Sequence, residues 1–182
     1  RKVPPPRIRR MASRLHWEEE PDTLVAIEAA SGEKLWSVES RIVPLTLAAT
    51  DQGAFYYDGK CVVRLDRENG ERLWTSPELP ACSPIPLWFA PTLVIYKNVV
   101  LFSGGKDATW HRGADNDMYA LDLESGEILW KAAHPRMDYD SPEDLLVARD
   151  LVWTGPINKG GQTGELTGRH YRTGKVVVQF PA

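Results

Sequence analysis

The stretch Met118-Tyr-Ala-Leu-Asp-Leu-Glu-Ser-Gly126-Glu-Ile-Leu-Trp130 decides the fold. It opens as an apolar strand, sets an acidic residue at 122, turns through a small polar residue onto Gly126, and returns as a second strand closing on Trp130. The side chain at 122 can accept hydrogen bonds from turn amides, and Gly126 can take a positive φ without steric cost, which closes a hairpin. A helix could not hold this phrase, because glycine costs about 1 kcal/mol in a helix interior and the flanks alternate with period two.

The phrase recurs as Leu24-Val-Ala-Ile-Glu-Ala-Ala-Ser-Gly32-Glu-Lys-Leu-Trp36, as Val62-Val-Arg-Leu-Asp-Arg-Glu-Asn-Gly70-Glu-Arg-Leu-Trp74, and as Gly168-Arg-His-Tyr-Arg-Thr-Gly174-Lys-Val-Val-Val178. Glu28, Asp66 and Asp122 share one slot, while Ser31, Asn69, Ser125 and Thr173 precede the glycine. Successive glycines lie 38, 56 and 48 positions apart, a spacing that suits four-stranded propeller blades with variable loops.

Each phrase supplies the last two strands of a blade, and the first two are legible upstream. They are read at 44–50 and 53–59, at 91–96 and 99–103, and at 144–148 and 151–154, joined by turns at Asp51-Gln-Gly, Lys97-Asn98 and Arg149-Asp150. The expectation is an all-β partial β-propeller of about three and a half four-stranded antiparallel blades. The half-blade covers about 16–37 and the complete blades about 43–77, 85–132 and 143–180, after a basic Pro-rich linker at 1–15. Such an arc leaves open sheet edges near Leu24 and after Phe180. With no initiator Met and a half-repeat at the start, the chain reads as a fragment of a larger closed ring whose remaining blades lie beyond its ends.

Trp36, Trp74 and Trp130 each stand four residues after their glycine. An aromatic of that size, once per blade, is read as covering the seam to the neighbouring blade, where its indole N–H needs a partner. A sugar-stacking ladder is the competing reading. Val178 takes this position in the last copy, so a weaker or terminal seam is expected there.

Composition narrows the function classes. Across 182 residues, 42% hydrophobic and 26% charged content is that of a globular protein, and a formal charge of −3 gives no reason to expect nucleic acid as a partner. No apolar run is long enough for a transmembrane span. Arg1, Lys2, Arg7, Arg9, Arg10 and Arg14 surround Pro4-Pro5-Pro6, a composition suited to an extended, solvated connector. The two cysteines, Cys61 and Cys82, make no metal or disulfide framework and read as small buried side chains.

These repeats resemble the PQQ-like β-propeller family, whose tryptophan-docking signature is Ala-x-Asp-x-x-Thr-Gly-x-x-x-Trp. Ala120, Asp122, Gly126 and Trp130 match it with Ser125 for Thr. Ala26, Gly32 and Trp36 match with Glu28 and Ser31 substituted, and Asp66, Gly70 and Trp74 match with Arg64 and Asn69 departing. The last copy keeps Thr173 and Gly174 and departs at His170 and Val178. The family holds quinoprotein dehydrogenases and also non-catalytic, BamB-like propellers, so the resemblance implies a fold, a cell-envelope or periplasmic location, and two possible roles. The phrasing from Ser141 to Gly168 further resembles the propeller part of large bacterial envelope proteins, some of which carry a methyltransferase-like domain.

For a dehydrogenase the family implies PQQ over a Trp floor, calcium held by carboxylate and amide oxygens, and often an adjacent cysteine pair. Cys61 and Cys82 stand 21 positions apart and are not such a pair. The oxygen-rich candidates for calcium are Asp115-Asn-Asp117 with Asp107, and Asp138, Asp140, Glu143 and Asp144, all read as turn carboxylates. His111, His134 and His170 show no metal-ligand spacing, and the Gly-rich stretch 155–164 lacks the spacing of a phosphate loop. The insertion 104–113 lengthens one blade and offers Trp110, His111 and Arg112 as a partner-binding loop.

The reading is therefore a non-catalytic scaffold that binds protein or carbohydrate through blade loops and uses no cofactor. The alternative is part of a PQQ- and calcium-dependent alcohol or aldose dehydrogenase whose cofactor site lies mostly outside this segment.

Overall fold

A computed structural model describes residues 17, 19–81, 85, 90–104, 116–134, 145–155 and 165–181. The basic stretch 1–15, Cys82, Trp110, His111, Arg112, the carboxylates at 107, 115, 138, 140, 143 and 144, and most of the Gly-rich stretch lie outside them.

All regular structure among these residues is β. Sheet I pairs β1 (Asp22–Ile27) with β2 (Lys34–Ser40). Sheet II is the meander β3 (Ala48–Thr50), β4 (Gly53–Tyr57), β5 (Val62–Leu65) and β6 (Arg72–Thr75). Sheet III is β7 (Thr92–Tyr96), β8 (Val99–Gly104), β9 (Asn116–Asp122) and β10 (Ile128–His134). Sheet IV is β11 (Leu146–Ala148), β12 (Leu151–Thr154), β13 (Leu166–His170) and β14 (Val176–Phe180). Every pairing is antiparallel between chain neighbours. This is an open propeller arc of one half-blade and three blades.

Period-two alternation gives each inner sheet two apolar faces. On β8, Val100 and Phe102 pack toward sheet II while Val99 and Leu101 pack toward sheet IV, so the continuous run Val99-Val-Leu-Phe is buried on both sides. Leu24, Trp36 and Val38 of sheet I meet Ala54, Tyr56, Val63 and Leu65 of sheet II. Phe55, Tyr57 and Val62 on the other side of sheet II meet Leu93, Val100, Phe102, Tyr119 and Leu121. Between sheets II and III the closest backbone approach is at their first strands, β3 and β7.

The first strand of sheet II is much shorter than its sequence predicts. Residues 44–50 read as a strand, yet β3 begins at Ala48. Leu45 takes φ 68° and Thr46 turns back on Val43, its N–H and Oγ1 both reaching the Val43 carbonyl. The same hydroxyl accepts the Tyr57 N–H at 3.1 Å, so Thr46 satisfies a buried amide that a longer strand would have paired.

Trp17 lies ahead of sheet I in sequence but not in space. Its N–H donates to the Ile85 carbonyl at 2.8 Å, and its ring lies against Gly59 within the core shared by sheets II and III.

Candidate functional site

The recurrent phrase builds the same turn four times. Asp122 N–H donates to the Glu127 carbonyl and Gly126 N–H to the Asp122 carbonyl, each at 2.8 Å, while Asp122 Oδ1 accepts the amides of Glu124 and Ser125 at 3.0 and 3.2 Å. Asp66 Oδ1 does the same for Glu68 and Asn69, and Glu28 Oε1 reaches Ala30 at 3.3 Å. In the last copy the imidazole Nδ1 of His170 takes over, accepting the Arg172 N–H at 3.3 Å. The glycines at 32, 70, 126 and 174 all have positive φ, between 68° and 75°. The strand pair after each turn carries a register shift, as an extra residue in the left-handed region produces.

These turns meet the tryptophans of the preceding sheet. Trp36 lies over Gly70, Trp74 over Gly126 and Trp130 over Gly174, so close that a Cβ at Gly126 would stand 2.6 Å from Trp74 Cε3. Each indole N–H then donates to the carbonyl three residues before that glycine: Trp36 to Arg67 at 2.8 Å, Trp74 to Leu123 at 3.0 Å, and Trp130 to Tyr171 at 2.8 Å. A net hydrogen bond contributes about 1 kcal/mol, and the ring adds its buried area. Val178, opposite Gly168 on β14, occupies the corresponding place in sheet IV.

Arg64 departs from the motif, and its part in the seam was not read from the sequence. It replaces the small residue of the motif opposite Trp74, and its side chain is buried. Its Nη1 donates to the Leu123 carbonyl at 2.9 Å and to Glu124 at 3.0 Å, Nη2 donates to the Gln52 carbonyl at 2.9 Å, and the guanidinium sits over the Phe55 ring. Its length was the available signal: a side chain that long at a seam position must reach the next sheet.

The seam between sheets III and IV is clasped by charge. Arg172 pairs with Asp122 at 3.2 Å across it. Burial pushes the Asp122 carboxyl up, but the amides of Ser125 and Glu124 and the Arg172 guanidinium outweigh it and hold the group below the usual carboxylate range. Asp150 accepts from Lys97 and from the Tyr96 hydroxyl, and the Lys97 hydrogen bond lowers its carboxyl. Arg149 and Asp150 both have positive φ, the geometry of a tight two-residue hairpin turn. Lys131 pairs with Asp117 at 2.9 Å beside Tyr119, whose phenol is raised by burial.

Beside Trp17 opens a cleft of about 490 Å³, lined also by Glu19, Arg41, Asp58 and Lys60. Its rim carries both signs of charge.

The described residues offer no fit to quinone and calcium chemistry. A quinone floor needs a free aromatic face, yet the repeat tryptophans lie on glycines. Calcium needs six to eight gathered oxygens. Among the described residues no three His, Cys, Asp or Glu side chains are grouped for a metal, and the carboxylates of Asp66, Asp122, Asp117 and Asp150 are each held by a turn or a cation. Cys61 is half-buried next to the Asp58 turn, and burial raises its thiol.

No curated protein matches this sequence. Among solved structures the chain is similar to BamB from Moraxella catarrhalis, with a TM-score of 0.56 and 17% identity over 87% of this chain and 42% of that one. It is similar to a europium-containing methanol dehydrogenase, with a TM-score of 0.56 and 16% identity over 87% of this chain and 38% of that one. It is also similar to quinohemoprotein alcohol dehydrogenase from Comamonas testosteroni, with a TM-score of 0.58 and 13% identity over 91% and 32%. At such identities the likeness shows the propeller fold alone, and the chain spans less than half the length of each. The family model described as outer membrane protein assembly factor BamB matches residues 11–152, most of the chain, a span that holds the first three copies of the recurrent phrase. The chain therefore belongs to the BamB family of PQQ-like repeat propellers.

Proposed function

We propose that this chain is a section of a non-catalytic propeller scaffold in the cell envelope, which holds protein or carbohydrate partners on the loops between its strands. The observation that carries this reading is the uniform construction of the three seams. Each uses an indole on a turn glycine and an N–H on a fixed carbonyl, with cross-seam ion pairs added at Arg64 and Arg172. Such seams make a stiff base, and variable loops on a stiff base are where recognition concentrates.

The family's description, an outer membrane protein assembly factor, supports protein partners over small substrates. The remaining blades of the same polypeptide are the other neighbours in this reading, the repeat tryptophans serve as docking residues between blades, and the loop holding Trp110, His111 and Arg112 is its contact surface. The docking and recognition roles are thus divided between the sheet seams and the loops.

Reconstitution tests the reading. The full-length protein, incubated with PQQ and calcium and then desalted, is expected to retain no quinone absorbance and to reduce no dye with alcohols or aldoses. Retained quinone with turnover would overturn it in favour of a dehydrogenase.

A further inference from the structure

We propose that the cleft beside Trp17 is a binding site for a neutral saccharide. Its volume, about 490 Å³, lies within the range of roughly 300–1,000 Å³ typical of small-ligand sites. It opens where the end of β2 meets the turn between β4 and β5, and the described side chains on the outer faces of sheets I and IV take no part in it. One wall is apolar and held in place by the core. Trp17 and Ile85 are buried between sheets II and III, Ala81 packs against them, and the Trp17 N–H is tied to the Ile85 carbonyl at 2.8 Å.

The polar rim has hydrogen-bonding capacity to spare. Arg41 and Glu19, both more than half exposed, stand 3.9 Å apart, beyond hydrogen-bond length. Among the described residues the Lys60 ammonium has no partner. Asp58 adds a second carboxylate, whose Oδ1 accepts the Lys60 and Cys61 amides at 2.8 and 2.7 Å. Two acids and two bases leave this rim without net charge. An ion of either sign meets repulsion as well as attraction there, whereas a hydroxyl both donates and accepts and serves carboxylate and cation alike. Hydroxyls around an apolar ring face are what a sugar presents. A peptide fits less well. Strand addition needs a row of open main-chain groups, yet the amides of Trp17, Asp58 and Lys60 are all spent within the chain. This inference goes beyond the scaffold reading, whose contact surface is the loop at 110–112, so failure of one leaves the other standing.

Titration of the isotope-labelled protein with cellobiose, maltose and N,N′-diacetylchitobiose tests the site, with digalacturonate as the acidic control and triglycine as the peptide control. At least one neutral disaccharide is expected to shift the amides of Arg41, Gly59 and Lys60 along one saturable curve. Arg41→Ala and Lys60→Ala, both at exposed positions, are each expected to weaken that binding at least about tenfold, as loss of a hydrogen bond to a charged group does. The proposal is overturned if none of the three sugars gives a saturable shift at these amides up to its solubility limit, or if either variant leaves the affinity unchanged. It is equally overturned if digalacturonate or triglycine binds there more tightly than every neutral sugar, because an acid or a peptide would then be the occupant.

Discussion

Arg64 and Trp74 face each other across β5 and β6 and deliver their donors to one acceptor, the buried carbonyl of Leu123, at 2.9 and 3.0 Å. The two donors come from one sheet and the acceptor from the next. Removing either leaves the oxygen satisfied, and removing both leaves it orphaned. Trp74→Phe is expected to cost about 1 kcal/mol and Arg64→Ala about 2 kcal/mol, with the double variant exceeding their sum by about 1 kcal/mol. Urea unfolding midpoints of the four proteins check this, and strict additivity would show that water replaces the donors.

Glu124 is the other partner of Arg64, but it is largely exposed. Its ion pair works against solvent and salt, so Glu124→Gln is expected to change stability by no more than about 0.5 kcal/mol. A larger loss at high salt would contradict the assignment of the Arg64 contribution to its buried carbonyl partners.

Gly32 and Gly126 share a φ of 75° and differ in what covers them. Gly32→Ala is expected to cost about 1–2 kcal/mol, the price of an L-residue in the left-handed region. Gly126→Ala meets the same backbone cost and also drives a methyl into the Trp74 ring, which adds about 1–3 kcal/mol. Thermal unfolding of the pair separates the two effects. Equal losses would mean that the indole moves aside freely.

Acid should loosen the seam between sheets III and IV. The folded state holds the Asp122 carboxyl below its ordinary range, so the stabilisation is fully present above the unfolded value, about pH 4, and is lost as pH falls through the lower folded value. Unfolding midpoints followed from neutral pH downward are expected to fall in that window, and Asp122→Asn is expected to flatten the fall. An unchanged slope in that variant would assign acid sensitivity elsewhere.

Trp17→Ala removes a buried ring from the core between sheets II and III and is expected to cost about 3 kcal/mol. A loss below about 1 kcal/mol, read by urea unfolding, would mean that this ring contributes little to that core.

The hairpins were legible in the sequence because their geometry is local: an acceptor, a small polar residue and a glycine lie within five positions, as at Asp122 and Gly126. The seams were half legible. Tryptophan repeats in phase with its hairpin, but the carbonyls of Arg67, Leu123 and Tyr171 carry no sequence signature, since every residue has one. Two apparent departures from the motif turned out to be substitutes. His170 offers Nδ1 where other copies offer a carboxylate, and Arg64 brings a second donor to the seam. Leu45 and Trp17 were opaque for opposite reasons. The turn at 43–46 is made by a hydroxyl that also fits a strand, and the docking of Trp17 depends on Ile85, far along the chain and outside the recurrent phrases.

That last contact sets a mechanical order of rupture that differs from the order of the sequence. Tension applied to the chain just ahead of Trp17 reaches the link from Trp17 to Ile85 and Gly59 before it can peel β1 from β2. The middle of the arc takes the first load, and the half-blade is shielded until that anchor gives way.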